Sequence, residues 1–285
     1  MRYNRSEGFV KSFDNTKLFF QVWQQENALG TLFITHGQGE HSGSYSRVVE
    51  GIKDSNLNIV AWDLRGHGRS EGRRGFVNNF SEYVRDYNAF FAHALHMPFV
   101  AGKKKIALSH SMGALTQLRA FVETPDLQKQ FDAQVLSSPA LGLALPIPAW
   151  KRKGANFINS FVPQVTLWNE ITNEMLTHDL DVIKEFERDP FRHNRISPSA
   201  FLGFMESWDI VLPQASSIRL PTLLQVPEVD PVANTPISRE FFERLGSLKK
   251  EVFIYPGAQH EIYNETLRQT VYYDLKHFIS HILEN

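Results

Sequence analysis

The fold of this 285-residue chain is decided by the stretch Lys105-Ile106-Ala107-Leu108-Ser109-His110-Ser111-Met112-Gly113. Its first residues predict a strand at Lys105–Leu108, and the residues after it predict a helix at Met112–Glu123. A serine at so tight a strand-to-helix turn is lifted out of the backbone, and only small neighbours permit the strained turn. The start of the helix offers free N–H groups and a positive dipole end, which favour a developing oxyanion. The stretch therefore predicts Ser111 as a nucleophile.

The turn departs from its usual pattern, Gly-x-Ser-x-Gly, because Ser109 stands where the first glycine is expected. Serine is small enough for that position. The alternative is a serine-rich helix cap, in which Ser109 or Ser111 merely accepts from the first N–H groups of the helix.

Short apolar runs alternate with helical patterns along the chain, which predicts an α/β fold with a mostly parallel sheet flanked by helices. The first two strands form a hairpin across Asp14-Asn15, a pair that favours turns. The eight predicted strands are Phe9–Phe13, Leu18–Gln24, Thr31–Thr35, Asn58–Trp62, Lys105–Leu108, Ala133–Leu136, Thr222–Val226 and Val252–Tyr255. The predicted helices are Tyr45–Lys53, Ser81–His96, Met112–Glu123, Ile237–Leu245 and Glu265–Ile282.

One segment, from about Leu141 to Pro213, breaks the alternation. It has prolines at 146, 148, 163, 190, 198 and 213, tryptophans at 150, 168 and 208, and no convincing strand. About 70 residues between consecutive strands is far more than a crossover needs. We expect a helical insertion at 141–213 that covers one edge of the sheet, and a core made of 1–140 and 214–285.

Composition excludes several classes of protein. Lysine and arginine number 30 against 31 acidic residues, so the formal net charge is −1 and no global field attracts nucleic acid. There is no cysteine, which excludes disulfides, thiolate catalysis and cysteine-bound metals. No secretory signal opens the sequence, and its longest apolar stretch, Ala140–Trp150, is far short of the ~20 residues that span a bilayer. We expect a soluble, cytoplasmic protein.

A second motif, His36-Gly37-Gln38-Gly39-Glu40, directly follows a predicted strand. Glycines let the backbone turn back over a nucleophile and aim an N–H at it, as the oxyanion hole of acyl transfer requires. The backbone N–H groups of Gln38 and Met112 are the expected donors. The alternative is a glycine-rich connection without chemistry.

A nucleophilic serine requires a histidine base and a carboxylate that orients it. His260 lies in the loop after the last predicted strand, and Asp230 lies in the loop after the strand before it. The chain order Ser111, Asp230, His260 is the order typical of this fold. Glu228 is the close rival as the acid. His67, in Asp63-Leu64-Arg65-Gly66-His67-Gly68-Arg69-Ser70, is not favoured as the base, since that motif is better explained as a tight loop with solvated or ion-paired arginines.

With these motifs the chain resembles the α/β-hydrolase superfamily, specifically its bacterial lysophospholipase and monoacylglycerol lipase group. The resemblance covers nearly the whole chain and implies Ser111 as nucleophile, His260 as base and Asp230 as orienting acid. It also implies an oxyanion hole at Gln38 and Met112, and a cap that corresponds to 141–213. The motifs that carry it are 36–42, 63–70, 74–77, 110–113 and 256–261.

The resemblance implies hydrolysis of a single-chain lipid ester, a lysophospholipid or a monoacylglycerol, through an acyl-enzyme and without cofactor or metal. Apolar cap residues (Phe157, Phe161, Val162 and the tryptophans) could line an acyl tunnel, contact a membrane surface loosely, or form the core of the cap. Lys151-Arg152-Lys153 could attract anionic headgroups or be a solvated cluster. The oligomeric state is left open.

Other functions are weighed beside this one. A small-ester carboxylesterase or a serine peptidase on the same fold stays open, as does an idle member that binds a hydrophobic ligand under its cap. An epoxide- or haloalkane-cleaving enzyme is disfavoured because it needs a carboxylate at the nucleophile position. A metal enzyme is disfavoured because no helix carries paired histidines with a nearby acid at ligand spacing.

Overall fold

The computed structural model describes residues 3–145, 147–162 and 164–284, so Pro146 and Pro163 of the predicted insertion lie outside the described residues. Its strands are β1 (Asn4–Lys11), β2 (Lys17–Gln24), β3 (Gly30–Thr35), β4 (Leu57–Trp62), β5 (Lys104–His110), β6 (Ala133–Ser137), β7 (Leu167–Trp168), β8 (Arg195–Ile196), β9 (Thr222–Pro227) and β10 (Lys250–Tyr255). Its α-helices are α1 (Ser46–Gly51), α2 (Ser81–Ala94), α3 (Ser111–Glu123), α4 (Pro125–Gln128), α5 (Ala149–Phe161), α6 (Leu180–Arg188), α7 (Pro198–Val211), α8 (Thr235–Glu243) and α9 (Arg268–Glu284). Short 3-10 helices cover Ser42–Tyr45, Asn173–Met175, Leu212–Ser217 and Ile262–Asn264.

Eight of these strands form one sheet in the order β1-β2-β4-β3-β5-β6-β9-β10. The pairs β1–β2 and β2–β4 are antiparallel, and every other neighbouring pair is parallel. The predicted mostly parallel, eight-stranded sheet is therefore confirmed. Because parallel strands end at the same edge, the loops after β3, β5, β9 and β10 lie together there.

Apolar side chains cover both faces of the sheet, so β3, β4 and β9 are buried along their whole length. On one face, α2 and α3 close the larger core, where the ring of Trp62 stacks on Phe90 at a centroid distance of 4.6 Å. On the other face, α9 buries Leu275, Phe278 and Ile282. Because both faces of the sheet are covered, the start of α3 is held at the carboxyl end of β5.

Most boundaries of the predicted elements differ from the structure by no more than two residues, but the starts of two elements differ by more. The first strand is Asn4–Lys11 rather than Phe9–Phe13, because its polar residues pair in register with β2 along an exposed sheet edge. Alternation of apolar residues does not detect such an edge strand. The last helix starts at Arg268 rather than Glu265, since the Glu265 carboxylate accepts the N–H of Gln259 and of Thr266 and holds the chain in a turn.

The segment between β6 and β9 contains α5, α6 and α7 and, contrary to the prediction, a short ladder of two strands, β7 and β8. The ladder pairs Leu167 with Ile196 and Trp168 with Arg195, and two residues a strand leave no alternation to recognise. Helix α7 packs against α3 of the core, and α5 packs on α7 without burying any residue. We call residues 141–213 the cap segment.

Among the described residues, no helix is both long enough and apolar enough to span a membrane.

Candidate active site

Ser111 is the first residue of α3, directly after β5, and its backbone φ is +48°. An L-residue occupies this left-handed region only where its surroundings impose it. A Cβ added to Gly113 would lie 2.3 Å from the carbonyl oxygen of His36, and a Cβ added to Gly37 would lie 3.0 Å from the Cβ of Ser111. The two glycines therefore let α3 and the loop after β3 close around the serine.

Ser109, which replaces the usual glycine, takes part in a buried polar network. Its Oγ donates to Oε1 of Gln117 at 2.5 Å, and the Gln117 amide donates to Oε1 of Gln134 at 3.0 Å. The whole of α3 is described, and no side chain caps its N-terminus. The helix-cap alternative for Ser109 and Ser111 is therefore wrong, and the network explains how serine is accommodated.

The structure brings together the three residues that the sequence predicts as a catalytic set. Nε2 of His260 lies 2.9 Å from Oγ of Ser111, and Nδ1 of His260 lies 2.7 Å from Oδ2 of Asp230. The other carboxylate oxygen of Asp230 accepts the N–H of Val232 at 2.8 Å and of Ala233 at 3.0 Å. The exposed fractions are only 7% for Ser111, 3% for His260 and 6% for Asp230. The arrangement has the geometry of a nucleophile, a base and an orienting acid.

The rivals of these residues lie elsewhere. Glu228 is exposed at the start of the loop after β9, and its N–H donates to the carbonyl of Tyr255. His67 is fully buried, and its Nδ1 faces the carbonyl oxygen of Arg65 at 3.0 Å. Its Nε2 has no hydrogen-bond partner among the described residues. Neither residue forms a hydrogen bond with His260 or Ser111. Among the described residues, no group of three or more His, Asp or Glu side chains is placed to hold a metal ion.

The electrostatic surroundings of His260 favour its protonated form. Burial opposes its charge, but the Asp230 carboxylate outweighs burial and raises the pKa of His260 above its ordinary value. Burial likewise opposes the charge of Asp230, yet the imidazole and two backbone N–H groups lower the pKa of that carboxyl. The ionised Asp230 therefore directs Nδ1–H of His260 toward itself, which leaves Nε2 free to face Ser111.

His110 packs beside His260 with a ring-centroid distance of 4.8 Å. Burial lowers the pKa of His110 to about 3, and its Nδ1 lies 3.2 Å from the carbonyl oxygen of Ser137. The ring is therefore neutral near pH 7, and it adds bulk but no positive charge beside His260.

The predicted oxyanion donors come from two elements that meet at Ser111. Met112 lies in the first turn of α3, where an N–H has no acceptor within the helix. Gln38 lies in the loop after β3, and its side-chain amide donates to the carbonyl oxygen of Arg195 at 2.6 Å. The Glu40 carboxylate accepts the N–H of Gly37 at 2.6 Å, which fixes the shape of this loop.

Three charged residues of the site have no role in the sequence prediction. Arg192 of the cap segment forms an ion pair with Glu261, the residue after His260, and both side chains are nearly buried. Burial, together with the nearby Glu261 carboxylate, raises the pKa of Glu40 to about 7. Glu40 and Glu261 stand inside the recognised motifs, whereas Arg192 lies in an irregular segment with no motif to single it out.

A cavity of about 260 Å³ opens above Ser111, between the core and the cap segment. Most of its lining is polar, and only Ile171, Leu176 and Phe186 contribute apolar side chains. The lining residues are Gln38, Gly39, Glu40, His110, Ser111, Asn169, Ile171, Asn173, Leu176, Phe186, Glu187, Asp189, Arg192, His193, Asn194, His260 and Glu261.

The apolar residues that the sequence suggests for an acyl tunnel do not border this cavity. Phe157, Phe161 and Val162 are 66%, 72% and 57% exposed, and Trp150 is 69% exposed. They therefore form neither the wall of the cavity nor a core of the cap segment.

The raised pKa of His260 predicts the pH dependence of catalysis. Only neutral His260 can accept the proton of Ser111, so kcat/KM should rise with pH through an apparent pKa above ~6.5 and then level off. The Glu40 carboxylate also supports the imidazolium, so Glu40→Gln should move the rising limb to lower pH. Initial rates on a soluble ester between pH 5 and 9 give the apparent pKa of wild type and its shift in Glu40→Gln. A limb centred below pH 6, or one that Glu40→Gln moves upward, would contradict this electrostatic account.

Comparison with known proteins places the chain in a family. The model of the family Hydrolase_4, described as serine aminopeptidase, S33, matches residues 26–267. The monoacylglycerol lipase of Mycolicibacterium smegmatis is 26% identical over 282 residues, which cover 98% of either chain. Human monoglyceride lipase is 28% identical over 94% of this chain and 88% of its own. The uncharacterized protein YnbC of Escherichia coli is 29% identical over 98% of this chain, which spans only 47%, about half, of that relative.

Solved structures show the same fold. The monoacylglycerol lipase of Paleococcus ferrophilus superimposes with a TM-score of 0.78 at 25% identity, covering 99% of this chain and all of that one. A soluble variant of the monoglyceride lipase of Saccharomyces cerevisiae gives a TM-score of 0.83 at 20% identity, covering 96% and 94% of the two chains. The chain is an α/β-hydrolase and belongs to the Hydrolase_4 (serine aminopeptidase, S33) family.

Proposed function

We propose that the chain hydrolyses the acyl ester of a single-chain lipid, a monoacylglycerol or a lysophospholipid, and that Ser111, His260 and Asp230 are its catalytic triad. The observation that carries the proposal is the unbroken series of hydrogen bonds from Asp230 through His260 to Ser111 at the floor of an open cavity. The relatives named as monoacylglycerol and monoglyceride lipases support the substrate class. The chain is a carboxylic ester hydrolase.

The first half of the reaction forms an acyl-enzyme. Nε2 of His260 takes the hydroxyl proton of Ser111 while Oγ bonds to the ester carbonyl carbon, giving a tetrahedral intermediate. Asp230 stays ionised and stabilises the imidazolium. When the intermediate collapses, the bond to the leaving oxygen breaks, and that oxygen takes the proton from His260 and departs as an alcohol.

The second half repeats these steps with water. His260 takes a proton from a water molecule whose oxygen attacks the acyl carbon, and Ser111 regains its proton as the fatty acid leaves. In both halves the negative carbonyl oxygen is held by the N–H groups of Gln38 and Met112. Removing one such donor typically costs about 10²–10³ in rate.

The outer face of α5 suits a lipid surface. Trp150, Phe157 and Phe161 recur at positions that share one face of this helix, and all three are exposed. Lys151 and Lys153 lie on either side of this face, and Lys153 forms no ion pair with the described residues. An apolar face flanked by cations matches the interface of an anionic membrane. We infer that the cap segment contacts such a surface peripherally while the chain works on a cytoplasmic substrate.

A peptidase is the second candidate, and one observation favours it. Four carboxylates (Glu40, Glu187, Asp189 and Glu261) line the cavity against one guanidinium, that of Arg192. A lining of this sign would attract the ammonium group of a peptide's amino terminus, and the family description names an aminopeptidase. An idle, ligand-binding member is disfavoured because the triad geometry is intact.

The proposed function predicts cleavage of lipid monoesters that depends on Ser111. Wild type should release fatty acid from a monoacylglycerol or a lysophospholipid of the same acyl chain, and Ser111→Ala should lower the rate on the order of 10⁶-fold, to background. Short-chain esters and aminoacyl anilides, measured in parallel, represent the carboxylesterase and the aminopeptidase. Cleavage of the anilides alone would replace the lipid assignment, and more than a few per cent of activity in Ser111→Ala would overturn the role of the serine.

The membrane contact predicts a charge-dependent affinity for vesicles. Replacing both Lys151 and Lys153 by Gln removes about 1 kcal/mol of attraction to the anionic surface per charge, so binding to anionic vesicles should weaken about thirtyfold. Lys129→Gln with Arg239→Gln removes two exposed charges from the core and should have little effect. Co-sedimentation at low salt measures the affinity, and equal binding by the two double variants would contradict a role for this face.

A further inference from the structure

The polar cavity above Ser111 receives the alcohol part of the substrate. An acyl chain gains nothing from a lining of carboxylates, carboxamides and imidazoles, because these groups lose water without new hydrogen bonds. The leaving oxygen must also lie beside His260, which protonates it and lines this cavity. The placement of the alcohol part in this cavity rests on the proposed function.

The ion pairs of the lining leave it negative. The guanidinium of Arg192 is paired with Glu261, and its side chain is only 9% exposed, so it is neutralised inside the protein. The carboxylate of Asp189 faces Nε2 of His41 at 2.8 Å.

Glu187, in the last turn of α6, forms no ion pair with any described residue. Glu40 also lacks an ion pair, but its carboxylate is buried and accepts hydrogen bonds from Gly37 and Tyr45. Glu187 is thus the exposed carboxylate of the cavity without a cationic or hydrogen-bonding partner among the described residues.

The remaining polar groups suit hydroxyl groups. Asn169, Asn173 and Asn194 line the cavity with carboxamides, which both donate and accept hydrogen bonds. The hydroxyl groups of a neutral polyol also donate and accept hydrogen bonds, so they can pair with both the oxygen and the nitrogen of each carboxamide. A phosphate monoester, which offers chiefly acceptors and carries ≈ −1.5 to −2 charge near pH 7, meets carboxylates here instead of a free cation.

We propose that Glu187 makes this cavity select substrates by the charge of their alcohol part: neutral polyol esters are accepted, and esters whose alcohol part has a net negative charge are rejected. Glu187 acts as a specificity-determining residue that repels the phosphate and takes no part in bond breaking. The cations of α5 lie outside the cavity, so attraction to an anionic surface and rejection of anionic substrates occur at different places on the cap segment.

The test compares soluble esters that share a hexanoyl chain and differ in the alcohol: glycerol, glycerol 3-phosphate (the phosphate ester) and glycerophosphocholine, a zwitterion that should be cleaved with a kcat/KM between the other two. Hexanoyl esters are monomeric, so adsorption to lipid aggregates does not enter the rates. Wild type should show a kcat/KM at least several-fold higher on the glycerol ester than on the phosphate ester. Glu187→Lys should narrow that ratio about tenfold by raising kcat/KM on the phosphate ester alone, with Glu187→Gln in between.

Controls separate the charge of the cavity from the charge of the protein. Glu185→Gln removes a carboxylate from the same helix outside the cavity and should leave the ratio unchanged. Because Glu187 is exposed, the wild-type ratio should also shrink as salt is raised. Equal cleavage of the glycerol and phosphate esters, or a ratio that Glu187→Lys leaves unchanged, would overturn the inference while the hydrolase function stands. Failure to cleave any of the three above the Ser111→Ala blank would overturn both.

Discussion

The constraint on which the site depends is the left-handed backbone of Ser111 between β5 and α3. With φ at +48°, the chain leaves the sheet and enters the helix within one residue, so Oγ of Ser111 is raised toward the loops at the carboxyl edge. Such a conformation costs on the order of 1–3 kcal/mol and persists only where packing imposes it. Here Gly113 fits against the carbonyl of His36 and α3 is buried along most of its length. The burial of the sheet thus maintains the backbone strain that presents Ser111, the proposed nucleophile, to the cavity.

Around that turn, one imidazole is surrounded by carboxylates with different tasks. Asp230 contacts His260 directly and raises its pKa, whereas Glu261 is held by Arg192 from the cap segment. Glu40, with its pKa raised to about 7, shapes the loop of Gln38 through the N–H of Gly37. The cap segment therefore does more than cover the cavity: its guanidinium compensates a charge that would otherwise be buried next to His260, the proposed base.

The sequence predicts the sheet and the candidate triad because both depend on local patterns. Buried strands appear as apolar runs, and Ser111, Asp230 and His260 each follow one, so shared strand ends bring them together. The β1 boundary and the β7–β8 ladder were missed because an exposed edge and two-residue strands carry no alternation. Arg192 and Glu187 could not be assigned, since their roles arise from the packing of an irregular segment on the core, which no local pattern encodes.

The most direct measurement of the central claim is the site of covalent labelling by a fluorophosphonate, which bonds to an activated serine Oγ with loss of fluoride. Mass spectrometry of peptides from the labelled protein should place a single adduct on Ser111. Ser109→Ala, which alters the neighbouring hydroxyl, should still be labelled, and Ser111→Ala should not. An adduct on another residue, or equal labelling of Ser111→Ala and wild type, would contradict the assignment of Ser111 as the nucleophile.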